Sequence, residues 1–211
     1  MLYPLLFLGS ADYIPRISAE DPCCLIQRHP DSIVLWPTKE DPAFLAENLA
    51  QDLTSLPTTI IELAQKHHCR LGTAESCTGG LAASLLTDVS GSSAVMQGGV
   101  VSYANEVKIN VLGVAPADLA AHGAVSCAVA SAMALGAARV LGADLTISFS
   151  GIAGPQGGSP QKPVGTVAIG HALHGKAQAA MFHFTGDRLP LKKQFAMHGL
   201  WQMWQILKGL A

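Results

Sequence analysis

At 211 residues the chain can build one good core, or one core plus an appendage. Hydrophobic residues account for 49% and charged residues for only 13%, which predicts dense small-residue packing and a homo-oligomer, a dimer or trimer. The net charge of −2 gives no electrostatic footprint for nucleic acid or an anionic membrane, and no window approaches the roughly 18 uninterrupted apolar residues of a spanning helix.

The opening "MLYPLLFLGSADY" has no basic stretch before its short apolar run, and Pro4 interrupts that run, so no signal peptide is expected. Further on, "CCLIQ" and "SIVLW" flank "RHPD" and read as two strands joined by a turn. "KEDPAFLAENLAQDL" predicts a helix with Asp41 as N-cap and Pro42 at its first position, and "LPTTIIELAQKHH" predicts another. Strands and helices then alternate. "RLGTA" is a strand, a helix over 77–87 starts just past Ser76, and "GGVVSYA" is a strand. "NEVKINVLG" is a helix with Asn105 as N-cap and Gly113 as its stop. A long alanine-rich helix follows, capped by Ser126, and His122 falls in a loop before it. "DLTISFSG" is a strand running into "GIAGPQGGSPQKPVG". "TVAIGHAL" and "KAQAAMFHF" form a hairpin turning at Gly175, and a helix over 190–208 closes the chain. Gly199 should weaken that helix by about 1 kcal/mol relative to alanine. The alternation predicts an α/β fold with a mixed sheet over residues 56–211, preceded by an extension over 1–55.

Cys23, Cys24, Cys69, Cys77 and Cys127 are odd in number and form no CxxC pair, which fits reduced thiols in a cytoplasmic protein. The eight histidines include no HExxH or Cys/His spacing for a metal; His171 and His183 could meet only across the predicted hairpin.

Three stretches concentrate residues suited to chemistry. "TAESCTGG" places Ser76 on a strand-to-helix turn, where the free N–H groups of a first helical turn suit an oxyanion or phosphate. Read from these residues alone, Ser76 is a nucleophile or, with Thr78, merely an N-cap, and Cys77 is a rival nucleophile. "VVSYANEVK" puts Tyr103 at a strand end and Lys108 in the next helix's first turn, where the helix dipole disfavours the charged amine. Lys108 is then either a general base or a solvated lysine. The third stretch holds Gly151, Gly154, Gly157, Gly158 and Gly165, stiffened by Pro155, Pro160 and Pro163, with Lys162 placed to meet an anion. It is neither a P-loop nor a dinucleotide fingerprint; it is a ligand-wrapping loop or an unstructured surface segment.

Together, "TAESCTGG", "TDVSGSSA", "GGVVSYANEVKINVLGV", "LAAHGAVS", "SGIAGPQGGSPQKPVGTV" and "FTGDR" resemble the CinA carboxy-terminal domain family, over roughly residues 56–208. The resemblance implies a three-layer α/β/α domain that hydrolyses the amide of nicotinamide mononucleotide without a metal or other cofactor. It further implies Ser76 as nucleophile, Lys108 as general base and Tyr103 as a helper in proton transfer or orientation. The oxyanion falls to N–H groups near Thr78, Gly79 and Gly80. The glycine-rich loop (Gly151, Gly154, Pro155, Gly157, Gly158, Lys162, Gly165) and Arg188 correspond to the nucleotide- and phosphate-binding parts. Where the family usually has a second arginine after "GDR", this chain reads "LPLKKQ", so Lys192 or Lys193 supplies charge without a bidentate fork. The alternatives are a catalytically silent nucleotide- or partner-binding module, and an amidase for another amide.

Overall fold

The computed structural model describes residues 5–8, 24–29, 32–37 and 54–210. The chain divides into two units, Met1–Thr59 and Ile60–Ala211. In the first, strands β1 (Leu5–Leu8), β2 (Cys24–His29), β3 (Ser32–Pro37) and β4 (Thr54–Ser55) form an antiparallel sheet in the order β2-β3-β1-β4. The expected hairpin is present, in register from Cys24 opposite Pro37 to His29 opposite Ser32. The helix expected at "KEDPAFLAENLAQDL" lies outside the described residues.

Helix α1 (Leu56–Lys66) leads into the second unit and buries Ile60, Ile61 and Ala64. The strands there are β5 (Leu71–Glu75), β6 (Met96–Val101), β7 (Leu145–Gly151), β8 (Thr166–Leu173) and β9 (Lys176–His183), in the order β6-β5-β7-β8-β9. β5 runs parallel to β6 and β7, β8 is antiparallel to β7, and the tight hairpin at Gly175 reverses the chain so that β9 is antiparallel to β8. The sheet is therefore mixed. His171 pairs with Gln178 and His183 with Thr166, so the two histidines lie at opposite ends of the hairpin and do not meet.

The helices are α2 (Leu81–Thr87), α3 (Asn105–Asn110), α4 (Pro116–His122), α5 (Cys127–Leu141) and α6 (Arg188–Lys208). The side-chain alternation of β7 shows how they are layered. Thr146 and Ser148 point to α5 and donate their hydroxyls to Ala134 O at 2.8 Å and Ala130 O at 2.7 Å. Ile147 and Phe149 point the other way and pack under Gly199 of α6. The strand is thus buried on both faces, giving an α/β/α three-layer domain. A Cβ on Gly199 would lie 2.2 Å from the Phe149 ring, so the helix-weakening residue is what lets α6 lie close to the sheet. Phe195, Leu200, Trp204 and Leu207 of that helix are buried, as its apolar face predicts.

Some boundaries differ from expectation. α2 begins at Leu81, not directly after Ser76, because Gly79 and Gly80 adopt φ of +67° and +94° and cannot continue a right-handed helix. Ala104, not Asn105, is the N-cap of α3. His122 is the last residue of α4, a seven-residue helix with no buried residue and hence no apolar periodicity to reveal it. Ser126 does cap α5, its hydroxyl accepting from Val129 N at 3.3 Å. Among the described residues no helix is long and apolar enough to cross a membrane.

Candidate active site

The C-terminal edge of the parallel strands gathers the chemistry-bearing residues, as open α/β sheets generally do. β5 occupies the centre, and its last residue, Glu75, is fully buried. Its carboxylate accepts from Gly80 N at 2.9 Å, Ala82 N at 3.1 Å, Ala83 N at 2.8 Å and Thr73 Oγ1 at 3.1 Å. Glu75 therefore caps α2 from the strand side, and neither Ser76 nor Thr78 does. This corrects two expectations. Ser76 is released from capping, and the Gly80 N–H is already committed and not available to an oxyanion. Glu75 was the carboxylate inside "TAESCTGG"; its burial gave no signal in sequence, since a carboxylate beside a helix start is ordinary.

Ser76 is half-buried, its main chain held by a hydrogen bond from Ser76 N to Phe149 O at 2.9 Å. Its Oγ lies 3.1 Å from Nζ of Lys108, thirty-two residues away in sequence. That amine also reaches Ser102 O at 2.7 Å and Tyr103 O at 3.2 Å. Lys108 is only 1% exposed, and burial pushes its pKa below the ordinary lysine value. Desolvation, rather than the helix dipole, is the leading cause. Among the described residues no carboxylate forms an ion pair with the amine, although Glu106 acts on it at longer range and partly offsets the effect of burial. A neutral amine matches this surrounding: two N–H bonds serve the two carbonyls, and the lone pair faces the serine hydroxyl.

Of the three side chains expected to converge, two do. Tyr103 meets Lys108 through its carbonyl, and its side chain is 66% exposed. Cys77 is buried and its thiol is pushed up to about 12, mainly by desolvation, so it stays protonated near neutrality. Its expected position at a helix N-terminus is not realised, since α2 starts four residues later.

The glycine-rich loop is anchored at both ends. Gly151 closes β7, Ile152 N donates to Thr166 O at 2.8 Å, and Gly165 N donates to Ile152 O at 2.8 Å. Gly154, Gly157 and Gly165 have positive φ. Pro155, Gly157 and Gly158 lie in its exposed part. Arg188 and Lys162 stand where expected in the chain, but each is committed to the scaffold. Arg188 Nη1 donates to Gly154 O at 2.7 Å, and Lys162 Nζ to His122 O at 2.8 Å. Lys162 also borders a cavity of about 780 Å³ with His122, Cys127, Thr166 and His183. A smaller cavity of about 340 Å³ is lined by Thr78, Gly79 and Gly80 together with Leu189, Lys192 and Lys193 of α6. Among the described residues no group of three or more His, Cys, Asp or Glu is placed to hold a metal ion.

Fold and site thus define a three-layer α/β/α domain with a buried lysine on a serine at the strand ends. Residues 53–207 match the CinA C-terminal domain, and the chain belongs to that family. A CinA-like protein of Chlorobaculum tepidum is 46% identical over 154 residues, covering 69% of this chain and 36% of that protein. A CinA-like protein of Anaeromyxobacter dehalogenans is 48% identical over 145 residues, again 69% and 36%. The crystal structure of a competence-damaged protein (CinA) superfamily protein from Klebsiella pneumoniae superposes with a TM-score of 0.70 at 36% identity, over 73% of this chain and 96% of that one. The chain spans between 34% and 39% of the length of the leading curated relatives it matches.

Proposed function

We propose that this domain is an amidohydrolase that converts nicotinamide mononucleotide to nicotinic acid mononucleotide and ammonia. The observation that supports the reading is the 3.1 Å approach of a buried lysine amine to Ser76 Oγ. Burial favours the neutral amine, which is the form able to take the serine's proton. Ser102 O and Tyr103 O orient it, so the lone pair is aimed at the hydroxyl.

In the proposed reaction Ser76 Oγ attacks the carboxamide carbon as its proton passes to Lys108 Nζ. The oxyanion is met by the main chain of the Thr78–Gly79 turn, since Gly80 N is spent on Glu75. The Lys108 ammonium returns the proton to the departing nitrogen, ammonia leaves, and an ester to Ser76 remains. Water, deprotonated by the same amine, attacks the ester, and collapse restores the serine and yields the carboxylic acid. Tyr103 contributes orientation of Lys108 through its carbonyl. The glycine-rich loop borders the nucleotide.

The test is incubation with nicotinamide mononucleotide, reading ammonia and binding together. Wild type should release ammonia, and Ser76→Ala should bind the nucleotide without turnover while keeping its fold. Binding without ammonia from the wild type would make the domain a silent nucleotide-binding module instead; ammonia from Ser76→Ala at the wild-type rate would remove the serine from the mechanism.

A further inference from the structure

Ser102 is fully buried, and its hydroxyl Oγ has no hydrogen-bond partner among the described residues. An unpaired buried hydroxyl destabilises the fold, so its retention calls for a state in which it is paired. Its place in the sheet shows where that partner stands. Glu75 and Val101 are register partners at the ends of β5 and β6, and both face α2: the Glu75 carboxylate holds Gly80 N, and a Cβ on Gly80 would meet Val101 Cγ2 at 3.5 Å. Hydrogen bonds from Ser76 N to Phe149 O at 2.9 Å and from Ser102 N to Glu75 O at 2.7 Å carry each strand one residue further. Alternation then turns the Ser76 and Ser102 side chains to the opposite face, the one on which Val100 packs against the cluster of Val129 and Met133 from α5. The two serines thus stand side by side on neighbouring strands, whose spacing is about 4.8 Å. Lys108 Nζ joins the pair, 3.1 Å from Ser76 Oγ and 2.7 Å from Ser102 O.

We infer that Ser102 is a positioning residue for the Ser76–Lys108 pair: its hydroxyl accepts a hydrogen bond from the Lys108 ammonium once the amine has taken the Ser76 proton. Neutral Nζ has two N–H groups, both given to main-chain carbonyls, and a lone pair facing Ser76. Proton transfer adds a third N–H aimed at Ser76 Oγ, which by then is bonded to the acyl carbon and is a weak acceptor. Ser102 Oγ is the adjacent acceptor left open, and rotation about its Cα–Cβ bond turns a lone pair to the new N–H. No covalent bond forms or breaks in this step; the ammonium is held until it passes its proton to the departing nitrogen. Because the bond exists only after proton transfer, it lowers the barrier without strengthening substrate binding. Cys77, on the turn after β5, and Glu106, on α3 itself, also act on the amine, and both are kept in every variant below. The inference rests on the serine–lysine chemistry proposed above and not on which amide is cleaved.

Two measurements on the full chain test this. In the first, steady-state ammonia release from nicotinamide mononucleotide is compared for wild type, Ser102→Ala, Lys108→Met and the double variant. Ser102→Ala should lower kcat about tenfold, the size of one hydrogen bond to a charged group, with KM within about twofold of wild type. In the Lys108→Met background the same change should cost nothing further, because no ammonium forms there. A merely structural hydroxyl predicts a more stable Ser102→Ala protein with wild-type kcat. That result, or an equal loss repeated in the Lys108→Met background, overturns the inference. In the second measurement a fluorophosphonate probes the same step without nucleotide recognition. Ser76 Oγ bonds to phosphorus, fluoride leaves with the P–F electron pair, and the serine proton stays on Lys108. Labelling, followed by intact mass, should be about tenfold slower in Ser102→Ala than in wild type and absent from Ser76→Ala. If wild type releases no ammonia while Ser102→Ala still labels at the reduced rate, the nucleotide substrate falls and the role of Ser102 stands. Equal labelling rates, or no labelling of wild type, overturn that role.

Discussion

Replacing Lys108 by methionine separates chemistry from folding, because the two effects differ greatly in size. The side chain is 1% exposed and of similar length, so volume is largely conserved. What is lost is the amine: its contact with Ser76 Oγ at 3.1 Å and its bonds to Ser102 O at 2.7 Å and Tyr103 O at 3.2 Å. Leaving a buried carbonyl unpaired costs about 1–3 kcal/mol. Methionine, however, carries no charge to desolvate, which offsets part of that cost at neutral pH. A net loss of about 1–2 kcal/mol is small against the usual 5–15 kcal/mol, so the variant stays folded. Loss of a general base removes roughly 10²- to 10⁴-fold in rate. Lys108→Met should therefore unfold only a few degrees below wild type while ammonia release from nicotinamide mononucleotide falls at least a hundredfold.

The pH dependence provides an independent readout. Wild-type kcat/KM should rise with pH through the lowered pKa of Lys108, since only the neutral amine accepts a proton. Stability follows the same group. The folded pKa lies below the unfolded value of about 10.4, so between the two the unfolded chain binds more protons. Wild-type stability should then climb with pH across that interval and flatten above it, and Lys108→Met should lack the climb. Turnover within about threefold of wild type in the folded variant would refute the assignment of Lys108 as base.

Other perturbations test the scaffold. Cys77→Ala should retain turnover, because the wild-type thiol is held near 12 and is neutral at working pH; complete loss of activity in a folded variant would move the nucleophile to sulfur. Glu75→Gln replaces one acceptor oxygen by an amide that faces the N–H groups of the α2 turn, a loss of about 3 kcal/mol, so thermal unfolding should drop by roughly 6–12 °C. Unchanged unfolding would mean the four hydrogen bonds to Glu75 contribute little. Gly199→Ala should gain about 1 kcal/mol of helix propensity but lose up to about 3 kcal/mol to the clash with Phe149. A net fall in melting temperature is expected, and a rise would show that α6 can retreat from the sheet.

The class of fold was legible in the order of residues alone. Alternating strand and helix patterns from Leu71 onward, with a Gly175 hairpin, leave little besides a mixed sheet between helical layers, because local periodicity records which face each element buries. That order also carried the motif residues, since Ser76, Tyr103 and Lys108 sit in stretches whose text is specific to the family. Local pattern could not reveal partners distant in the chain. That Glu75, not Ser76 or Thr78, caps α2 depends on a buried carboxylate meeting N–H groups five to eight residues ahead. Burial of Lys108, which decides whether it is a base or a surface cation, depends on tertiary packing over a residue type that sequence alone assigns to solvent. The withdrawal of Arg188 and Lys162 into scaffold hydrogen bonds, and the approach of Lys192 to Gly79, likewise follow from how α6 docks. Docking is set by Gly199 against Phe149, fifty residues apart, and close packing at that range leaves no periodic trace in the sequence.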